Sequence, residues 1–356
     1  MWVRNKLGAF FLIAVVLWTA SDIILGLEYS WVLFLYRALA PVLVSVIVLI
    51  LSLQLVIARI RNESGNQGRT IVWLILLGVA IAPILASLKF TSTYTLLPSA
   101  DRPKFTVLNL NALGFMDLSA TIVDEIERRD PDIVTIQEVN PSLAQAIEQR
   151  LSQRYQCRIQ RPLEGSSGMS TLAKNPCTER NNKVTGTWVG RPIIIDTTTP
   201  SGSPIAIANF HALHPHAGLS KHYAEQLGRS QQNWWKRLSL PIFDREHAIS
   251  KLLEELGSTA SQNIIISGDL NASMRSRVYS AIREAGYSDA WLALHSVITG
   301  GTWPAPQFIG GLGIGWLLRI DFIFCSPSLL PTQMELLPAD IGSDHRGMIG
   351  RFAEWR

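Results

Sequence analysis

Cysteine is scarce in this sequence, and several motifs that would define a function class are missing. The three cysteines, Cys157, Cys177 and Cys325, do not have the spacing of a zinc site. The Gly-rich stretch 310–315 lacks the Lys and the Ser/Thr of a phosphate-binding loop. We find no internal repeat and no low-complexity segment. These absences exclude a zinc module, a P-loop nucleotide enzyme and a repeat protein.

Most of the chain has no net charge of either sign. The whole sequence carries 32 Lys and Arg against 28 Asp and Glu, a formal net charge of +4. Residues 1–90 hold seven of the basic and three of the acidic residues, so residues 91–356 have 25 of each and are neutral. A neutral region gives poor support for strong non-specific binding of nucleic acid, but it does not exclude a local basic groove.

Long apolar runs are present, and they lie in the N-terminal quarter. Residues 7–27, 31–58 and 71–88 each reach the roughly 18–20 residues that a helix needs to cross a bilayer. The sequence therefore predicts a membrane anchor at 1–90 with three transmembrane helices, followed by a polar linker at 91–103. The alternative is that these runs form buried helices of a soluble core.

Positively charged residues predict the orientation of this anchor. Arg4 and Lys6 precede the first apolar run, three arginines lie between the second and third, and the loop between the first two is acidic. The positive-inside rule then places the N-terminus in the cytoplasm and everything after the third run outside it. We expect a multi-pass protein of the plasma (inner) membrane whose catalytic domain is extracytoplasmic.

The cysteines add a conditional prediction. Cys157 and Cys177 lie on segments that flank a predicted hairpin, and they could form a disulfide if this region lies outside the cytoplasm. The sequence leaves two free thiols as the alternative. Cys325 lies in an apolar strand, where we expect it to be buried and inert.

One predicted strand ends in a pair of polar side chains that could take part in catalysis. The apolar run 263–266 is followed by a predicted turn at Ser267-Gly268, and then Asp269 and Asn271 stand two residues apart. Residues at this spacing on extended chain project to the same side. The carboxylate can take a proton, and the amide beside it can hold an oxygen. The alternative is a turn in which both side chains bond their own backbone.

The same arrangement recurs along the region after residue 103, where polar side chains follow apolar runs. The patterns predict strands near 104–110, 132–137, 155–160, 168–173, 184–197, 204–210, 318–325 and 347–352, and helices near 118–129, 142–153, 221–238, 245–256 and 275–285. The polar residues at strand ends are Asn111, Glu138, His211, Asp269, Asn271 and His345. Strand ends on one rim of a sheet converge, so these residues predict a single site.

Six short motifs occur in an order that is typical of one family. They are L-N at 110–111, D-I-V-T-I-Q-E at 132–138, F-H at 210–211, G-D-L-N at 268–271, R-I-D-F at 319–322 and G-S-D-H at 342–345. With this set, the region 104–356 resembles the endonuclease/exonuclease/phosphatase superfamily of deoxyribonuclease-like enzymes. The apolar N-terminal runs and G-T-W at 301–303 are similar to a bacterial, membrane-anchored subgroup.

The resemblance implies a fold and a metal-dependent chemistry. The fold is an α/β protein, a four-layer sandwich of two mixed β-sheets flanked by helices, and the chemistry is hydrolysis of phosphoesters with Mg²⁺, or Mn²⁺, as cofactor. Glu138 matches the main metal ligand, assisted by Asn111 and with Asp344 adding to the site, and such oxygen donors suit a hard cation.

The resemblance also implies roles for the remaining site residues. Asp269 matches the group that orients or deprotonates the attacking water, and Asn271 matches a donor to a phosphate oxygen. His211 and His345 would flank the phosphate, where an imidazolium stabilises charge or protonates the leaving oxygen. Asp321 would bond His345 and fix its tautomer. Phe210 is a departure, because the family commonly has Thr before this histidine.

These features favour a membrane-anchored, divalent-metal-dependent hydrolase of phosphodiester or phosphomonoester bonds, with a lipid-linked or small-molecule substrate. The alternative is an extracytoplasmic endonuclease or exonuclease that acts on DNA or RNA. A non-catalytic membrane interaction module is a third hypothesis. The lipid bilayer is the predicted partner of the N-terminal helices, and the sequence indicates no protein partner.

Overall fold

The computed structural model describes residues 102–180, 184–214, 234–257, 263–295, 299–305 and 318–354, with the side chains of 234–242 excepted. The three predicted transmembrane helices, most of the linker and most of the predicted helix 221–238 lie outside these residues. Among the residues that are described, no helix is both long enough and apolar enough to cross a bilayer.

Strands dominate the described part of the chain. They are β1 (Lys104–Asn111), β2 (Ile133–Gln137), β3 (Cys157–Arg161), β4 (Met169–Ala173), β5 (Thr178–Glu179), β6 (Trp188–Thr198), β7 (Pro204–Ala212), β8 (Asn263–Asp269), β9 (Ser288–Asp289), β10 (Asp321–Cys325), β11 (Leu329–Leu336) and β12 (Met348–Glu354). They form two six-stranded sheets. Sheet A has the order β11-β12-β1-β2-β4-β3, and sheet B has the order β5-β6-β7-β8-β10-β9.

The two sheets pack face to face and helices cover their outer faces. The helices are α1 (Ser119–Arg129), α2 (Pro141–Leu151), α3 (Trp234–Gly257) and α4 (Arg277–Glu284), with a short 3₁₀ helix at Ala339–Ile341. Apolar side chains of α1 and α2 share one core with sheet A. Those of α3 and α4 belong to the larger core that also fills the space between the sheets. The predicted four-layer α/β sandwich is therefore confirmed for this region.

Strand β1 shows how the sequence builds two interfaces at once. Phe105 and Val107 belong to the core between the sheets, whereas Leu108 and Leu110 pack in the core beneath α1 and α2. Alternate residues of a strand face opposite sides, so a strand buried on both faces is a nearly continuous apolar run. That burial fixes the direction of the polar residue at its end, Asn111.

The pairing of the central strands gathers polar residues at one rim. β1 pairs in parallel with β2, and Asn111 is level with Gln137. β7 pairs in parallel with β8, and His211 is level with Asp269. β10 runs antiparallel to β8, so its first residue, Asp321, is also level with Asp269. Both sheets therefore present their polar strand ends to the same side of the sandwich.

A buried polar network joins the two sheets directly beneath that rim. The Asn109 Oδ1 atom accepts hydrogen bonds from Thr135 Oγ1 at 2.9 Å and from Gln137 Nε2 at 3.0 Å. Gln137 Nε2 also donates across the interface to Asn209 Oδ1 at 2.7 Å, and the hydroxyls of Thr135 and Ser267 are 2.8 Å apart. Such directional contacts set the register of one sheet on the other more strictly than apolar packing does.

The Cys157–Cys177 disulfide is formed, with a Cα–Cα separation of 5.3 Å. Cys157 lies on β3 at one edge of sheet A, and Cys177 immediately precedes β5 at one edge of sheet B. The bond therefore ties the two sheets together at their edges. Cys325 is free and buried, as the sequence predicts.

Two predicted boundaries are wrong. Strand β8 continues through Ser267 and Gly268 to Asp269, where the sequence predicted a turn. The glycine is needed for close packing instead, because a Cβ there would lie 2.0 Å from the Phe210 carbonyl oxygen of β7. Similarly, α3 runs without a break from Trp234 to Gly257, where the pattern predicts separate helices at 221–238 and 245–256. Once a helix is formed, each added residue gains a hydrogen bond, so the helix can continue through residues that show no amphipathic pattern.

Candidate active site

Seven of the eight predicted site residues are brought together at the common rim of the two sheets. Asn111, Glu138 and His345 are contributed by the side of sheet A, and His211, Asp269, Asn271 and Asp321 by the side of sheet B. All seven are buried. The eighth, Asp344, accepts a hydrogen bond at Oδ2 from Trp303 Nε1 at 3.3 Å.

Asn111 links the carboxylates of the two sheets. Its Nδ2 donates to Glu138 Oε1 at 3.1 Å and to Asp269 Oδ2 at 3.2 Å. Its Oδ1 accepts from the Leu113 backbone N–H at 3.1 Å, which fixes the amide nitrogen on the carboxylate side. The second oxygen of Glu138 accepts from the Gly114 N–H at 3.2 Å. Glu138 is thus held in one orientation by two donors.

His345 lies between two carboxylates. Its Nδ1 is 2.9 Å from Asp321 Oδ2, and its Nε2 is 3.9 Å from Asp269 Oδ2. Burial by itself lowers the pKa of His345, but the Asp321 and Asp269 charges outweigh it and raise that pKa to about 10. Burial, together with the neighbouring Asp269 charge, raises the pKa of Asp321. His345 is therefore an imidazolium at neutral pH, a state in which it donates protons.

Asp269 is held as a carboxylate. Burial acts to raise its pKa, but His345, and then His211, outweigh that effect and lower the pKa to about 2. The Asn271 backbone N–H donates to Asp269 Oδ1 at 2.7 Å. Asn271 Nδ2 donates to the Ala212 carbonyl at 3.0 Å and to Asp269 Oδ2 at 3.3 Å. Asn271 therefore orients Asp269, and the longer of its amide contacts is the one that a phosphate oxygen could replace.

His211 is fully buried, yet neither ring nitrogen has a hydrogen-bond partner among the described residues. Its Nε2 is 3.4 Å from Asp269 Oδ2 and 3.9 Å from Glu138 Oε1, which are ion-pair distances without hydrogen-bond alignment. Burial tends to lower the pKa of His211, but Asp269 outweighs it and the net change is a rise. Buried nitrogens without partners are costly unless a ligand satisfies them.

Two sets of side chains offer the donors that a divalent cation prefers. Glu138 with Asn111 is the set that the sequence predicts. The buried group Asp269, Asp321 and His345 is a second, with its ligand atoms within 4.8 Å of one another. A protonated His345 cannot bind a metal, and its Nδ1 is already engaged with Asp321. The first set is therefore better suited to a cation while His345 keeps its proton.

Unusual backbone conformations concentrate at this rim. Four non-glycine residues of the described chain have positive φ, and three of them are Leu113 (53°), Glu138 (59°) and Asn271 (49°). The fourth, Asp130, ends α1. The left-handed region is unfavourable for residues with a Cβ and persists where the surroundings impose it, often at functional sites.

Supporting residues were missed in the sequence. Ser343 Oγ donates to the Asn111 carbonyl at 2.8 Å and accepts from the His345 N–H at 3.1 Å, so it joins the last site loop to β1. Thr302 Oγ1 accepts from the Asp321 N–H at 3.3 Å. Both residues lie within sequence motifs, Ser343 in G-S-D-H and Thr302 in G-T-W, and these motifs are the signal that indicates them.

Arg245 and His214 also support Asn271. Arg245 is buried on α3, and its Nη1 donates to the Asn271 carbonyl at 2.6 Å. His214 Nδ1 lies 3.1 Å from Asn271 Oδ1. No pattern in the sequence indicates the contact of Arg245 with Asn271, because an Arg in an amphipathic helix is usually on its solvated face.

The two mixed sheets carry carboxylate, amide and imidazole groups at one rim, and these are the groups that metal-assisted hydrolysis uses. The sequence matches the Endonuclease/Exonuclease/phosphatase family over residues 106–345. The chain belongs to this family, whose members are divalent-metal-dependent hydrolases of phosphoester bonds. No curated protein matches the chain.

Solved structures share the fold at low sequence identity. An endonuclease/exonuclease/phosphatase from Beutenbergia cavernae has a TM-score of 0.53 at 15% identity, covering 71% of this chain and 72% of that one. One from Bacteroides vulgatus has a TM-score of 0.51 at 16% identity, covering 71% and 100%. The catalytic domain of human Nocturnin, with bound sulfate, has 0.50 at 18% identity, covering 73% and 99%. These similarities establish the fold alone.

Proposed function

We propose that this protein is a membrane-anchored phosphoesterase that requires Mg²⁺ or Mn²⁺ and acts outside the cytoplasm. The main support for this proposal is the position of Asp269 at the junction of the two sheets. Its carboxylate lies within 4 Å of Asn111, His211 and His345. A base, an acid and a candidate metal ligand are thereby in reach of one phosphorus centre.

Glu138 and Asn111 are the residues that would hold the cation, with Asp344 adding to its surroundings. Glu138 fits, because it offers carboxylate oxygens to a hard cation. Asn111 would bind the cation through Oδ1, which requires its amide to turn over, since Nδ2 now faces Glu138. When bound, the cation supplies Lewis acidity and neutralises negative charge on the phosphoryl oxygens.

Two residues of the protein carry out the proton transfers: Asp269 accepts a proton and His345 donates one. Asp269, ionised and oriented by Asn271, orients the attacking water and accepts its proton. The His345 imidazolium, held by Asp321 at Nδ1, presents Nε2 for donation to the leaving oxygen. His211 lies beside both Asp269 and Glu138 and stabilises charge on the phosphoryl oxygens.

The location outside the cytoplasm is supported by two independent features. First, basic residues precede the first predicted span and lie between the second and the third, and the positive-inside rule assigns these segments to the cytoplasm. The Cys157–Cys177 disulfide is of the kind that persists in oxidising compartments. Protection of the 91–356 region from protease added on the cytoplasmic side, with digestion from the outer side, is the expected outcome.

The activity is tested with the full chain in detergent and bis-p-nitrophenyl phosphate as substrate. We expect turnover with Mg²⁺ or Mn²⁺ that EDTA abolishes, and a loss of more than about a hundredfold in Asp269→Asn, which keeps the size of the side chain but removes the base. Asp124→Asn, on the exposed face of α1, is the matched control and retains activity. Turnover that survives EDTA or Asp269→Asn would contradict the proposal.

The substrate class is tested with the same preparation on plasmid DNA, RNA and phospholipid vesicles. EDTA-sensitive cleavage of nucleic acid in preference to the other substrates would identify a nuclease. A chain that binds vesicles but hydrolyses none of these substrates would be a non-catalytic interaction module.

A further inference from the structure

Exposed apolar side chains cluster on two loops beside the candidate active site. Within the described residues five large apolar side chains are exposed, and three of them are Phe115, Met116 and Leu163. The first two lie on the β1–α1 loop, residues 112–118, and the third on the β3–β4 loop, residues 162–168. Isolated exposed apolar residues are normal, whereas a cluster marks an interaction surface.

The two loops are packed against each other. A Cβ on Gly114 would lie 2.1 Å from the Gly165 carbonyl oxygen, and a Cβ on Gly165 would lie 3.2 Å from the ring of Phe115. Leu163 donates its N–H to the Val139 carbonyl at 3.0 Å. Phe115, Met116 and Leu163 therefore lie on two loops that are in contact with each other, and we call these three exposed side chains the apolar loop surface. Phe115 is 75% exposed on it.

The apolar loop surface is coupled to the residues that would hold the cation. Gly114, the residue before Phe115, donates its N–H to Glu138 Oε2 at 3.2 Å. Leu113 donates to Asn111 Oδ1 at 3.1 Å, and Asn140 Nδ2 donates to the Met116 carbonyl at 3.0 Å. A partner bound to the apolar loop surface would therefore lie next to the candidate active site.

The chemistry of the loops restricts what can cover them. Neither loop contains Lys or Arg, and each contains one acidic residue, Asp117 and Glu164. Binding to a nucleic-acid backbone or to an anionic lipid surface relies on basic side chains that neutralise phosphates. An apolar, slightly acidic surface suits the uncharged interfacial region of a zwitterionic bilayer, where an aromatic and two aliphatic side chains lose contact with water.

The linker is long enough to allow this contact. The chain enters the domain at Lys104, while the site lies at the other end of the eight-residue strand β1, which is about 25 Å long. Extended, the linker 91–103 reaches about 40–45 Å. It therefore exceeds the length of the strand, so a domain tethered at the bilayer can turn its apolar loop surface toward the lipid.

We propose that the apolar loop surface docks on the bilayer and brings the site to phosphoesters in the headgroups of membrane lipids. This inference rests on the proposed function and names the substrate class of the same site. Docking depends on apolar contact, so it is expected to be unaffected by raising NaCl from 0.05 to 0.5 M, in contrast to electrostatic binding.

The test places an environment-sensitive fluorophore on the full chain reconstituted in phosphatidylcholine vesicles. Cysteine is introduced by Phe115→Cys or Leu163→Cys, and by Pro200→Cys as a control in the exposed turn at the opposite end of the sheets. The native cysteines are disulfide-bonded or buried, so the introduced thiol is the one in the described region that reacts. We expect brominated phosphatidylcholine to quench positions 115 and 163 at least twofold and to leave position 200 unchanged.

Four results would overturn the docking proposal. One is the absence of quenching at 115 and 163, and another is equal quenching at all three positions. The third is a response at 115 to a single-stranded oligonucleotide in place of vesicles, which would assign the surface to nucleic acid. A change on dilution of the protein in detergent would assign it to a second copy of the chain, with the same consequence.

A second variant separates docking from catalysis. Phe115→Ser combined with Leu163→Ser is expected to reduce bilayer contact, reported by quenching at Met116→Cys, at least twofold. Its turnover of soluble bis-p-nitrophenyl phosphate should stay within twofold of the parent. An equal loss of both would place the loops in the catalytic machinery and contradict docking. An inactive parent chain that still shows quenching would refute the proposed phosphoesterase and leave the docking intact.

Discussion

The proton held by His345 makes the stability of the site depend on pH. The pKa of His345 is raised from 6.5 to about 10 by Asp321 and Asp269, against the effect of burial. A raised folded pKa contributes stability that is complete below about pH 6.5 and is lost as the pH rises toward 10. A tenfold change in proton affinity is worth about 1.4 kcal/mol.

We therefore expect the metal-free protein to lose on the order of 3 kcal/mol of stability between pH 7 and pH 10 through this group. Thermal denaturation in EDTA, followed by near-ultraviolet circular dichroism, measures the trend. His345→Gln, which cannot titrate, should show a flatter decline. Parallel curves for the two proteins would mean that the imidazolium is not stabilised by the two carboxylates.

At the level of single elements, strand β8 needs a glycine at position 268 to pack against β7. The Cβ of an alanine at Gly268 would lie 2.0 Å from a backbone oxygen of β7, and a backbone cannot move aside as a flexible side chain can. Gly268→Ala is expected to cost about 1–3 kcal/mol and to reduce turnover, because Asp269 is the next residue and pairs in register with His211.

Gly257→Ala is the matched control for this change. A Cβ at Gly257 would have no neighbour within 4 Å among the residues that the structure describes, so we expect a difference within about 0.5 kcal/mol and unchanged turnover. Denaturant titration and the phosphodiester assay measure both variants. Equal effects of the two substitutions would show that β7 and β8 are not packed as closely as described.

The sequence predicts these elements well where burial dominates. β1, β2, β7 and β8 are buried on both faces, so their apolar runs and the polar residues that end them are visible in the sequence. The predicted convergence of Asn111, Glu138, His211 and Asp269 follows from that pattern, and the structure brings these side chains together.

Elements that depend on neighbours could not be predicted. Strand β11 contains Pro331 and a register shift at Pro331/Gln333, and it persists because it lies at the edge of sheet A against β12. The two-residue strands β5 and β9 exist through pairing with β6 and β10. Arg245 contacts Asn271 across 26 positions of sequence, a distance at which no local pattern applies.

For the whole molecule, the disulfide is a covalent cross-link between the two sheets, in addition to the backbone that passes from β4 to β5 and from β10 to β11. It spans a sequence separation of 20 residues and joins β3 to the start of β5. Closing a loop of this length is worth about 3 kcal/mol through the entropy of the unfolded chain. Cys157→Ser with Cys177→Ser, or reduction of the parent, should lower stability by about that amount.

Thermal melting with and without reductant measures this contribution. Reductant should destabilise the parent and leave the double serine variant unchanged, which is the internal control. Identical electrophoretic mobility of the parent with and without reductant, after free thiols are blocked, would show that the bond does not form in the cell.

The pairing of β1 with β12 has a consequence for synthesis. The first strand of the domain has one of its two neighbours in residues 348–354, and His345 lies just before them. During translation the other site residues, from Asn111 to Asp321, emerge first, but sheet A stays open until the last strand is delivered. A ribosome-stalled nascent chain that ends before residue 343 should therefore be catalytically silent, and enzyme activity is expected only once residues 343–354 have emerged from the ribosomal tunnel.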